Sequence, residues 1–288
     1  MALVHLQNSM ENSTVLPITV IIPCYRCTQT VRRAVDSVWQ QTQRPAEVIL
    51  VDDASGDRTL DVLNEIKNEY GEWIRVVELE ENSGAASARN VGWSMALQPY
   101  IAFLDADDSW HPDKLKMQYE FMRDSPEVTL SGHQCVWSRA GENEPMISMK
   151  PKFSKISAKS LLFKNAFSTP TVMVKRDIPF RFQEGKRCAE DFLLWQQIAF
   201  AGLQVACIES PLAYVHKPLY GAGGLSAQLW KMEQGELSNF IFLYRAANMG
   251  LLLYVASISF SLIKFIKRLA ITNLKRSAKI QTRKGEDS

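Results

Sequence analysis

The chain has 288 residues, 46% of them hydrophobic and 22% charged, enough to bury a sizeable core in one large or two small domains and to exclude a disordered polymer. A formal charge of +2 is too small to indicate a nucleic-acid binder, and the basic residues gather near the C-terminus. The cysteines at positions 24, 27, 135, 188 and 207 form no even disulfide framework, and residues 1–17 lack a basic segment followed by an apolar stretch, so a reducing cytoplasm is expected.

In chain order, Thr19-Val20-Ile21-Ile22 reads as a strand stopped by Pro23, and Val31, Ala34 and Val38 follow at helical spacing. Between them, Cys24 and Cys27 have the spacing of a zinc or redox pair, but no second pair and no neighbouring His accompany them, so the spacing is read as incidental. Glu47-Val48-Ile49-Leu50-Val51 is the next strand, and Leu60, Leu63, Ile66 and Tyr70 the next helical stripe. Residues 74–79 form a third strand, Ala85, Ala88, Val91, Met95 and Ala96 a third helix, and residues 100–104 a fourth strand. Such β-α-β-α-β-α-β alternation predicts a doubly wound α/β fold with a mostly parallel central sheet flanked by helices, whose ligands bind outside the carboxyl ends of the strands.

Those strand ends carry the polar residues. Pro23-Cys24-Tyr25 ends the first, Asp52-Asp53-Ala54-Ser55 the second and Asp105-Ala106-Asp107-Asp108 the fourth. Two acidic clusters on one edge repel each other unless a cation or donor groups lie between them. Asp105 to Asp108 could hold a divalent metal, but taken alone it reads first as a strand end leading into a helix start near Trp110 and Pro112. The loop Asn82-Ser83-Gly84 leads into Ala85-Ala86-Ser87-Ala88-Arg89-Asn90, where Arg89 is placed to meet a phosphate or to pair with an acid.

Taken in order, Val20-Ile21-Ile22-Pro23-Cys24-Tyr25, Val51-Asp52-Asp53-Ala54-Ser55-Gly56-Asp57, Asn82-Ser83-Gly84 with Ala88-Arg89-Asn90, and Leu104-Asp105-Ala106-Asp107-Asp108 with Trp110 and Pro112 resemble the family 2 glycosyltransferases of the GT-A fold. The resemblance runs over residues 18–226, with Cys24-Tyr25-Arg26 in place of the usual Tyr-Asn after the proline. It implies a nucleotide-diphosphate sugar donor, most often a UDP-sugar, with Pro23 and Tyr25 beside the base and Asp53 accepting from the base imide. Arg89 is then near the nucleotide, Asp105 near ribose and metal, and Asp107 on a Mg²⁺ or Mn²⁺ ion.

Arg187-Cys188-Ala189-Glu190-Asp191-Phe192-Leu193-Leu194-Trp195 is similar to the family's Glu-Asp segment opening a helix, which makes Asp191 the candidate base for an inverting transfer. Glu190 is expected to bond locally or touch the acceptor. Tyr214-Val215-His216 and Gly223-Gly224-Leu225-Ser226 resemble the strand and loop that follow, with His216 a candidate for the metal or the diphosphate and a surface His the rival reading. Thr169-Pro170-Thr171-Val172-Met173-Val174 reads as a strand beside the acceptor. The processive members' Gln-x-x-Arg-Trp segment is absent after Asp191, which points to transfer of one sugar.

The expected division is an extension over 1–17, a catalytic domain over 18–235 with a nucleotide half (18–110) and an acceptor half (111–235), and C-terminal helices with a basic tail over 236–288. Residues 246–263 are uncharged and mostly apolar, and Lys264, Lys267, Arg268, Lys275, Arg276, Lys279, Arg283 and Lys284 follow. That pattern suits a helix lying on the cytoplasmic membrane surface, with a spanning helix and a helix docked on protein as rivals. The implied partner is a saccharide or polyprenyl-diphosphate-linked acceptor of surface polysaccharide synthesis. The alternatives are a non-catalytic nucleotide-sugar-binding subunit and a nucleotidyltransferase, the latter lacking its Gly-rich loop after the first strand.

Overall fold

The alternation of the first hundred residues becomes four strands and three helices. In the computed structural model, residues 15–137, 152–216, 229–246 and 248–286 are described, with side chains as far as residue 272. Strands β1 (Leu16–Cys24), β2 (Pro45–Asp52), β3 (Ile74–Glu78) and β4 (Tyr100–Phe103) pair in parallel in the order β3-β2-β1-β4. Val20, Ile21 and Ile22 are all fully buried, as expected of a central parallel strand covered on both faces. Helix α1 (Val31–Trp39) turns Val31, Ala34, Val35 and Val38 inward, an i, i+3, i+4, i+7 spacing that lines one face. Helices α2 (Thr59–Tyr70) and α3 (Ala85–Met95) complete the crossovers. Gly92 lets α3 lie close on the sheet, since a Cβ there would sit 2.6 Å from Ile21 Cγ2.

Beyond β4 the sheet becomes mixed. The chain continues through β5 (Ser109–Trp110), α4 (Lys114–Asp124), β6 (Val128–Trp137), β7 (Phe153–Ile156), α5 (Ser160–Phe163), β8 (Met173–Lys175), α6 (Glu190–Phe200) and β9 (Gln204–Val215). Strand β8 runs antiparallel between β4 and β6, and β9 runs parallel to β6 and antiparallel to β5 and β7. The sheet is thus parallel in the half that carries the first three strand-end motifs and mixed in the other half.

Two local expectations give way to tertiary pairing. Ser109 and Trp110 form a strand opposite Tyr214 and Ala213 rather than a helix start, and the helix begins only at Lys114. Trp110 is anchored from three sides: its backbone N–H donates to Ser37 Oγ (3.1 Å), its indole N–H to Pro170 O (2.7 Å), and its ring is buried. Thr169–Thr171 make a 3₁₀ turn and only Met173–Lys175 pair as strand, because Pro170 has no N–H for a ladder.

Two helices close the chain, α7 (Leu229–Arg245) and α8 (Leu251–Glu286), and the 235/236 point drawn from the sequence falls inside α7. Ser257 and Ser261 of α8 are buried, and Ser261 Oγ donates to Glu233 Oε1 (2.7 Å) and Glu236 Oε2 (3.2 Å) of α7. Glu236 also pairs with Lys264 (2.7 Å) and Arg268 (3.2 Å). One face of α8 is therefore docked on protein. The other is open and apolar, with Leu252 89%, Ile263 66% and Ile266 64% exposed. Among the described residues no helix is long and apolar enough to cross a membrane. Gly223-Gly224-Leu225-Ser226 lies outside the described residues.

Candidate active site

The carboxyl ends of β1, β2 and β4 and the N-terminus of α6 surround a cleft of about 540 Å³. Pro23, Tyr25, Asp53, Arg89, Asp105, Asp107 and Asp191, drawn from five separate sequence motifs, all line it. His216 lies outside that lining, at the end of β9 beside Ser109. A neighbouring hollow of about 490 Å³ is lined by Asp52, Asp57, Glu78 and Glu80 and by no basic side chain, so it is ill suited to a diphosphate. The larger cleft carries Arg26, Arg89 and Arg187.

The adjacent acids of the second motif divide their work. Asp52 accepts from the hydroxyl and, at 3.4 Å, the backbone N–H of Ser55, closing its own turn. Asp53 reaches across to the loop before α3, accepting from Ser83 N–H (2.8 Å), Gly84 N–H (2.9 Å) and Asn82 Nδ2 (3.0 Å). Both Asp53 oxygens are thereby engaged, and the expected contact with a base has to share them. Arg26, in turn, ties the first motif to the second through Ser55, with its N–H on Ser55 Oγ (3.0 Å) and its Nε on Ser55 O (3.2 Å).

Among the described residues the three non-glycine positions with positive φ are Arg26 (48°), Ala54 (49°) and Ala189 (56°). Two line the cleft and Ala54 lines the adjoining hollow. Backbone strain of this kind is held in place only where surrounding contacts over-determine it.

Arg89 is the electrostatic centre. Its guanidinium spans the two halves of the site, donating from Nη2 to Asp105 (2.8 Å) and from Nη1 to Glu190 (3.2 Å), over the ring of Phe182. Burial works against its charge, and Asp105, Glu190 and Asp191 more than restore it, holding it above its usual range. The acid pairing expected of Arg89 is present, and through it Glu190 makes a local bond.

Asp105, Asp107 and Asp108 bring one carboxylate oxygen each within 4.8 Å of the others. Three hard anionic donors at that spacing suit Mg²⁺ or Mn²⁺. Asp105 shares this site with Arg89, Asp107 is fixed through its backbone oxygen by Arg33 Nη2 (2.6 Å), and Asp108 accepts from His216 N–H at 3.4 Å. His216 Nε2 meets Ser109 Oγ at 2.8 Å, and burial, assisted by Arg33, lowers the imidazole's pKa against the pull of Asp107.

Asp191 stands in the first turn of α6. Its carboxylate accepts from Phe192 N–H (2.7 Å) and Thr169 Oγ1 (3.1 Å). Burial and the charge of Glu190 push its pKa to about 6, while Arg89 and the two hydrogen bonds pull the other way. A carboxyl poised there takes up a proton near neutral pH and releases it again, which is what a general base requires. Sequence reasoning missed Thr169 as its partner, Arg33 beneath Asp107, and Arg187, whose Nη2 meets Asn82 O (3.2 Å) and Oδ1 (3.1 Å). None of them carries a spacing signal, since each partner comes from a distant segment.

A parallel half-sheet with acidic strand ends, joined to a mixed half that delivers a second acid on a helix N-terminus, is the architecture of GT-A transferases. The S. aureus protein TarS, in its structure in complex with UDP-GlcNAc, superposes with a TM-score of 0.65 over 86% of this chain and 72% of its own, at 19% identity. Residues 19–178 match the model of Glycosyl transferase family 2, and the chain belongs to that family. Among curated relatives, TuaG of Bacillus subtilis (strain 168), named for a glycosyltransferase of teichuronic acid biosynthesis, is 34% identical over 64% of this chain and 73% of its own length. The Escherichia coli UDP-Glc:alpha-D-GlcNAc-diphosphoundecaprenol beta-1,3-glucosyltransferase WfaP is 39% identical over 36% of this chain, a match that spans only 41% of WfaP.

Proposed function

We propose that the protein is an inverting glycosyltransferase that moves one sugar from a nucleotide-diphosphate sugar, a UDP-sugar, to a saccharide or polyprenyl-diphosphate-linked acceptor in bacterial surface polysaccharide synthesis. The observation that carries this reading is the single cleft shared by the Asp105 and Asp107 carboxylates, the Arg89 bridge and the raised-pKa Asp191. The name of WfaP supports the UDP-sugar donor and the lipid-linked acceptor, and that of TuaG the polysaccharide setting.

In this reading Tyr25, 46% exposed at the cleft edge, stacks on the base, and Asp53 accepts from the base imide while keeping its bonds to the 82–84 loop. Asp107 and Asp105 would hold Mg²⁺ or Mn²⁺, whose charge offsets that of the departing diphosphate. Asp191 accepts the proton of the attacking acceptor hydroxyl, and Thr169 keeps its carboxylate oriented. The enzyme works attached peripherally to the cytoplasmic face of the membrane, through the open face of α8.

A panel of nucleotide sugars with Mn²⁺ or Mg²⁺, followed by nucleotide release, tests the assignment. The wild-type protein should release nucleotide from one donor, and Asp107→Ala should abolish metal-dependent donor binding while keeping the fold. Donor binding with neither hydrolysis nor transfer to any acceptor would instead identify a binding subunit.

A further inference from the structure

We propose that α7 is the brace of the catalytic base and that Asn239 is a positioning residue for Asp191. The proposal rests on the transferase reading above. Residues 19–178 of the family match stop short of both Asp191 and α7, so the helix's part in the reaction has to be read from its contacts.

Three of those contacts fall on the four residues before the Glu190-Asp191 pair. Ala189 is left-handed (φ 56°, ψ 29°), and its carbonyl accepts from Leu193 N–H (3.1 Å) and from Asn239 Nδ2 (3.0 Å). One residue earlier, Cys188 lies so near α7 that a Cβ on Gly235 would be 2.7 Å from its carbonyl oxygen. Lys186 Nζ reaches Gly235 O (3.2 Å) and Ser238 Oγ (2.5 Å). Met232, one turn earlier on α7, lines the cleft itself. The helix thus grips the segment that sets the direction in which Glu190 and Asp191 leave it.

Packing alone does not account for Asn239. The side chain is fully buried, and its Oδ1 finds no hydrogen-bond partner, so an amide here carries a desolvation penalty that Leu would avoid. Its bond to Ala189 O is what the amide adds. That bond holds a left-handed residue directly beside the base, where small displacements are felt most, because the proton must be received in line with the attacking oxygen. Gly235 points the same way: within a helix it is a poor former, and the close approach to Cys188 is what it permits.

Asn239→Leu and Gly235→Ala in the full chain test the brace. Both should lower kcat roughly 10- to 100-fold while leaving donor KM within about two-fold of wild type, because the donor contacts of Asp53, Arg89 and Asp107 come from other elements. The acid limb of the kcat profile should move to lower pH in both, as water reaches Asp191. Gly235→Ala keeps the amide and gains helix propensity, so it carries the test even where Asn239→Leu folds poorly. Variants with wild-type kcat and pH profile would overturn the brace, as would kcat and donor KM worsening together with a lowered melting temperature. A wild-type protein that transfers no sugar from any donor would overturn the transferase reading, and this one with it.

Discussion

Asp191 is opposed in its ionisation by burial and by Glu190, and that opposition sets both its chemistry and its cost. In its proposed role as base Asp191 acts as the carboxylate, so kcat should rise with pH through about 6 and level off above it. Stability runs the other way. The folded-state value lies above the ordinary carboxylate range near 4, so the folded protein binds the extra proton between them, and this group's contribution is present below pH 4 and lost as pH rises through about 6. Asp191→Asn should therefore be more stable than wild type at pH 8, on the order of 1–2 kcal/mol in urea unfolding, and indistinguishable from it at pH 4. Its transfer rate should fall by roughly 10²- to 10⁴-fold with donor affinity unchanged; more than a tenth of wild-type transfer remaining would remove Asp191 as the base. Asp105, Asp107 and Asp191 were legible in the sequence because each sits in a local motif. The bridge of Arg89 to Glu190 was not, since it joins residues 101 apart whose meeting depends on the whole sheet.

The strands and helices from β1 to β4 were legible for a different reason: buried parallel strands are short apolar runs, and the helices between them repeat their apolar residues at 3.6-residue spacing. Where a segment's conformation depends on a remote partner, the local pattern loses. Trp110 is drawn into β5 by Ala213, Ser37 and Pro170, and no local signal announces any of them. The Asp53 bonds to Ser83 and Gly84 belong to this scale too, because they lock the turn after β2 to the start of α3 and so set where Arg89 projects. In Asp53→Asn one oxygen becomes an amide that cannot accept from its N–H, and a charged hydrogen bond is exchanged for a contact between donors. The expected result is a stability loss of about 2 kcal/mol together with a donor KM raised roughly ten-fold, since a similar energy is lost from placing the loop. Urea unfolding and a donor titration measure the two. A donor KM within two-fold of wild type would show that the turn does not govern the nucleotide end of the cleft.

At the scale of the molecule, α8 faces two ways. Its inner side, through Ser261, Lys264 and Arg268, holds α7, which in turn holds the segment before Asp191. Its outer side presents Leu252, Val255, Ile263 and Ile266 to solvent, and the sequence that follows is rich in Lys and Arg. An apolar stripe with a cationic continuation suits the surface of an anionic bilayer, with the stripe entering the headgroup boundary and each Lys or Arg adding about 1 kcal/mol. An acceptor anchored in that bilayer would then be presented to a transferase already held beside it. High salt should screen the cationic part alone and leave most of the protein on isolated membranes, whereas full release by salt would remove hydrophobic insertion from the account. The paired substitution Leu252→Glu, Ile263→Glu tests the stripe directly. At 89% and 66% exposure both residues lie on the open face, so the fold should change by only about 0.5 kcal/mol each. Transfer to a short water-soluble acceptor should stay near wild type while vesicle co-sedimentation falls at least ten-fold and transfer to a vesicle-embedded acceptor falls with it. Co-sedimentation unchanged by the double variant would place the membrane contact elsewhere on the molecule and return the open face of α8 to the docking of protein.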